Sequence, residues 1–157
     1  MKLSSYAFCT ALLATACFHS AVAAPSDKAV IIDEIATSFA SVTQKTDKDA
    51  SKTQSAANIG RCLASHTLDT VPDQVFEQYD IHKQEDAKHF VEPIVQHKAA
   101  IKKAVMQDCY ADAQTFVKLQ NTKSTSKQDV EQLLDNLFEG YFAFYEDSAA
   151  FLKEQGK

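Results

Sequence analysis

The chain has 157 residues and carries 16 Lys and Arg against 21 Asp and Glu, a net charge of −5. That length is one domain with room for a core of its own. The acidic balance excludes a phosphate-backbone partner, which needs clustered positive charge, and an anionic membrane surface.

The first 23 residues read as a secretory signal peptide. Lys2 gives a positive start, residues 6–18 are mostly small and apolar, and Ala21-Val22-Ala23 fits the small-x-small pattern before a cut. Cleavage there leaves one domain over 24–157, periplasmic or secreted, with a net charge of −6 once Lys2 is gone. The apolar run is too short to span a membrane. Cys17, after Leu13-Ala14-Thr15-Ala16, only loosely resembles a lipoprotein cleavage box, so soluble export is the reading over a lipid anchor.

Glycine and proline number three each, and no Asn-Gly or Asp-Gly hairpin signal occurs. The fold class is therefore all-α, a bundle of four to five helices. A first helix is expected over 26–42, capped by Ser26 or Asp27, with Ile31, Ile35, Phe39 and Val42 at helical spacing. Residues 43–53 have little to bury and read as a solvated linker. A second helix is expected over 54–68, carrying Ile59, Cys62, Leu63 and His66. Pro72 sits near the first position of a short third helix, where its missing N–H costs least.

The stretch 84–119 reads as one long helical segment that Pro93 kinks or divides. Ser126 and Asp129 then form a capping-box-like start, with Asp in place of Glu or Gln, for a last helix over 127–153. Val130 to Leu152 spreads apolar residues over about half the helix circumference, wider than the roughly 100° stripe of a surface helix. Five aromatics fall within 138–145. This helix is expected to be central. Phe144 and Phe151, seven residues apart, share one edge of the arc and are the candidate contacts to a partner protein. The opposite side, with Glu131, Asp135, Glu139, Glu146 and Asp147, reads as a solvated acidic face able to steer a basic partner.

Removing the signal takes Cys9 and Cys17 with it, leaving Cys62 and Cys109 in a compartment that permits disulfides. One pairing is possible. It closes a loop of about 48 residues, worth about 4 kcal/mol on the chain-entropy model. The Cys-x-x-Cys spacing of a redox motif is absent.

His82, Asp86, His89 and His97 are candidate metal ligands by residue type. On a continuous helix the four lie within an arc of about 80°. His82 to His97 spans about 22 Å, so only His82, Asp86 and His89 could share an ion. The i, i+4 histidine pair of His-Glu-x-x-His is missing, and a polar stripe is the preferred reading; no metal and no cofactor are assigned. His66 reads as a boundary residue. No nucleophile elbow, phosphate loop or haem-attachment motif occurs.

The function expected by exclusion is an exported, non-enzymatic helical protein that binds another protein, for example an inhibitor, immunity factor, chaperone-like factor or effector. The alternative is a carrier of a small apolar ligand or of a metal. An enzyme with an unrecognised site comes third.

Overall fold

The structure, a computed structural model, describes residues 28–120 and 125–155. The expected signal segment and the proposed caps Ser26 and Asp27 lie outside these residues. Among the described residues there are seven α-helices and no strand: α1 (Lys28–Thr46), α2 (Ala50–Leu68), α3 (Asp73–Gln78), α4 (Ala87–Gln96), α5 (Lys98–Asp108), α6 (Tyr110–Gln120) and α7 (Lys127–Gln155). The class is all-α as expected, but the count exceeds four to five. No described helix is long and apolar enough to cross a membrane.

The expected linker over 43–53 is mostly helix. Only residues 47–49 interrupt it, because local side chains make a tight turn. Asp47 Oδ1 accepts the N–H of Asp49 at 3.0 Å, and Asp49 Oδ1 accepts the N–H of Ser51 at 2.8 Å, capping α2. Lys52 closes the turn on Asp47 at 2.6 Å, which holds the Asp47 carboxyl below its usual range. The helices α1 and α2 then run antiparallel. Lys28 reaches Asp69 at 2.6 Å, and Asp33 reaches Arg61 at 2.8 Å. Ile31, Ile35, Ala36 and Phe39 form the buried stripe of α1. Gly60 lets the Phe39 ring lie directly against the α2 backbone: a Cβ there would stand 2.8 Å from Phe39 Cγ.

The long segment over 84–119 is three helices. Pro93 sits inside α4, and the break follows four residues later, at His97. There the His97 N–H bonds the carbonyl of Ile94 rather than that of Pro93, at 3.1 Å. The Pro93 carbonyl is met instead by His97 Nδ1 at 2.7 Å. A carbonyl only accepts, so Nδ1 carries the proton in this bond. The second break is at Cys109, where backbone bonds still pass on both sides: Cys109 N–H to Val105 O at 3.0 Å, and Ala113 N–H to Cys109 O at 3.1 Å.

The last helix is central. Val130, Leu134, Phe138, Tyr141, Phe142 and Tyr145 are buried along one side of it. It packs on α4, α5 and α6, and the Tyr141 ring meets Phe39 of α1 edge-on at 6.3 Å. The capping box forms as expected: the Ser126 N–H donates to Asp129 Oδ2 at 2.9 Å, and the Asp129 N–H donates to Ser126 Oγ at 3.1 Å. The Cys62–Cys109 disulfide is present and joins α2 to the α5–α6 break. Every buried side-chain nitrogen and oxygen among the described residues has a hydrogen-bond partner.

Candidate functional site

The acidic side of α7 is only partly the solvated face expected from sequence. Lys98 and Lys102, one turn apart on α5, lie against it. Lys98 reaches Glu146 at 2.9 Å and Glu139 at 3.1 Å; Lys102 reaches Asp135 at 2.6 Å and Glu139 at 2.7 Å. Each ammonium also stands over an aromatic face, Lys98 over Phe142 at 5.2 Å and Lys102 over Phe138 at 5.7 Å. The hydrogen bonds raise both lysine pKa values and, led by Lys102, lower that of Glu139. Asp135, Glu139 and Glu146 are thus engaged within the chain, which weakens the case for steering a basic partner with them.

In the core, the hydroxyls of Tyr141 and Tyr145 are 2.8 Å apart. Burial pushes the Tyr141 hydroxyl up to about 12 and Tyr145 well above its ordinary value. Both phenols are neutral structural groups at neutral pH.

The edge of α7 that carries Phe144 and Phe151 differs from the core side. Phe144 is half-buried, its ring edge-on to Tyr145 at 5.4 Å. Phe151 is 46% exposed. On the side of α7 turned toward α4, away from Phe151, Ala149, Leu152 and Lys153 with Lys88 and Glu92 line a shallow crevice of about 140 Å³. A second crevice, of about 90 Å³, lies between Phe39, Ile59, Phe116 and Leu137 and is almost wholly apolar. Pockets for small ligands run to about 300–1,000 Å³, so neither encloses a molecule of that size.

The histidine stripe does not assemble, because residues 79–86 are not helical. Two aspartates hold this turn: Asp80 Oδ1 accepts the N–H of His82 at 3.0 Å, and Asp86 Oδ2 accepts the N–H of Asp80 at 3.1 Å. Side-chain bonds of this kind compete with the helix ladder. His82 points to Glu34 of α1 at 3.8 Å, His89 stacks on Tyr79 at 3.7 Å, and His97 is occupied at Pro93. The group of donors that does converge among the described residues is Cys62, His66 and Cys109, whose ligand atoms lie within 4.8 Å of one another. His66, read from sequence as a boundary residue, also approaches Asp108, Nε2 to Oδ2, at 3.3 Å. The four-residue step from Cys62 to His66 was the available signal, since it puts both on one helix face.

No protein-family profile, no curated protein and no solved structure matches this chain.

Proposed function

We propose that this chain is an exported, non-enzymatic helical protein that binds another protein through the Phe144–Phe151 edge of α7. The observation that carries the reading is Phe151, a large apolar side chain left 46% exposed at the far end of an otherwise heavily packed helix. Exposed aromatic side chains are common energetic anchors of protein interfaces. The small volumes of both crevices favour a surface contact over an enclosed ligand. The signal-like leader and the disulfide fit export to the periplasm or beyond.

Site-specific photo-crosslinking in the native compartment tests this. A photoreactive residue at Phe151 should trap a discrete partner. The same probe at Val30, which is 52% exposed on α1, should not. Equal trapping at both positions, or none at Phe151, would contradict the reading.

A further inference from the structure

The disulfide carries a third donor that a simple staple does not need. His66 follows Cys62 by one helical turn on α2, so the two side chains leave the same face. Cys109 meets them from the break between α5 and α6. Two sulfurs and a ring nitrogen thus gather within 4.8 Å. Tetrahedral zinc has Zn–S near 2.3 Å and Zn–N near 2.0–2.1 Å, which places its donors about 3.6–3.8 Å apart, inside that envelope.

We propose that the reduced chain binds a thiophilic divalent ion such as Zn²⁺ at Cys62, His66 and Cys109, so that one cysteine pair serves either as a covalent staple or as a metal site. In the oxidised chain neither sulfur is a thiolate, and the ion has no purchase. Reduction by a small dithiol transfers two electrons and two protons to the disulfide, giving two thiols, while the dithiol leaves as its own cyclic disulfide. Zn²⁺ then displaces both thiol protons to solvent and is held by two thiolates and the neutral imidazole. No electron moves in this second step.

The surroundings suit this chemistry. Thiolate and imidazole donors select Zn²⁺ or Co²⁺ over Mg²⁺ or Ca²⁺. Cys109 is fully buried, whereas Cys62 is partly exposed and the His66 side chain is 25% exposed, so reductant and ion have an approach from the α2 side. Asp108, at 3.3 Å from His66 Nε2, is placed to orient the ring, the part that carboxylates commonly play behind metal-binding histidines. Three protein donors leave a four-coordinate ion one position for a further ligand. This inference is independent of the partner surface on α7, which is remote in role and shares no residue with it.

The test uses Co²⁺ as the probe and the leaderless chain 24–157, which keeps only Cys62 and Cys109, reduced and then freed of reductant under anaerobic conditions. The expected result is one Co²⁺ per chain, with a thiolate-to-cobalt charge-transfer band, the visible bands of a tetrahedral ion, and bleaching of both by Zn²⁺. The oxidised chain should give neither band. His66→Gln keeps both cysteines, so it still folds with its disulfide before reduction; it should alter the visible bands and weaken Co²⁺ binding. Asp108→Asn should weaken binding by about tenfold, and His82→Gln should change nothing. Absence of the charge-transfer band in the reduced chain would overturn the proposal. So would bands indifferent to His66→Gln, or equal Co²⁺ affinity in the native-like and the urea-unfolded reduced chain, because the folded arrangement would then contribute nothing.

Discussion

The contact between Phe39 and Gly60 makes two glycine substitutions differ in sign. Both glycines lie inside helices, Gly60 in α2 and Gly140 in α7. Intrinsic propensity alone favours Ala over Gly by about 0.8–1 kcal/mol at each position. At Gly140 a Cβ would meet nothing within 4 Å, so Gly140→Ala should realise most of that gain. At Gly60 the added carbon would stand 2.8–2.9 Å from Phe39 Cγ, Cβ and Cδ2. These atoms are at the root of the side chain, which a rotamer change cannot easily clear. Phe39 is itself buried and edge-packed on Tyr141, so relief requires α1 to move off α2. Overpacking of this kind costs about 1–3 kcal/mol. Set against the propensity gain, Gly60→Ala should be destabilising by about 1 kcal/mol, while Gly140→Ala stabilises by somewhat less than 1 kcal/mol. Urea unfolding of the oxidised chain followed by circular dichroism measures both. A Phe39→Ala background supplies the control: with the ring gone, Gly60→Ala should become neutral or stabilising. If Gly60→Ala stabilises the native background as much as Gly140→Ala does, α1 does not pack on α2 in this register.

Three further outcomes follow from the packing. Reducing the Cys62–Cys109 bridge in metal-free buffer should lower stability by about 4 kcal/mol, and thiol counting on the denatured, unreduced chain should find neither cysteine free; a midpoint indifferent to reduction would contradict this. Phe142→Ala, at a fully buried ring, should cost about 3–5 kcal/mol in urea unfolding, and a loss below about 1 kcal/mol would remove α7 from the core. The tyrosine pair makes stability fall on the alkaline side: the unfolded phenol ionises near 10.0 and folded Tyr141 near 12, so the folded state holds more protons in between and loses stability as pH rises. At about 1.4 kcal/mol per unit, Tyr141 alone accounts for about 3 kcal/mol by pH 12. Lys98 and Lys102, raised above 10.5, add to the same limb. Melting temperatures between pH 9 and 12 should therefore fall less steeply in a Tyr141→Phe, Tyr145→Phe double variant than in the native chain; identical slopes would show that the buried phenols are not responsible.

Sequence carried the class and several local features because each has a short-range cause. Scarce glycine and proline left few places to end a helix, and the Ser126–Asp129 reciprocal cap forms from residues three apart. The disulfide followed from elimination once two cysteines were assigned to the leader. The width of the apolar arc on α7 announced a helix with neighbours on more than one side. What escaped depends on residues meeting across the fold or on competition within a turn. The histidine group needs a helix continuous from His82, yet the Asp80 and Asp86 side chains take the backbone N–H groups that such a helix would use. That dissolved the His82/Asp86/His89 group. The division at His97 reflects a ring nitrogen replacing a backbone donor at Pro93, a substitution that periodicity does not register. The acidic side of α7 could not be matched to Lys98 and Lys102 without knowing that α5 lies along it. His66 joined the cysteines for the same reason, since Cys109 is brought to it from elsewhere in the chain.

On the proposed function, α7 divides its aromatics between a core side and an edge that meets the partner. The direct measurement compares Phe151→Ala with the native chain, recording the melting temperature and the yield of the partner crosslinked through a probe placed at exposed Gln155, one turn on along the same face. The melting temperature should stay within about one or two degrees of native, because an exposed side chain has little packing to lose, while the crosslinked partner is lost. A large drop in melting temperature, or an unchanged crosslink at native stability, would contradict it.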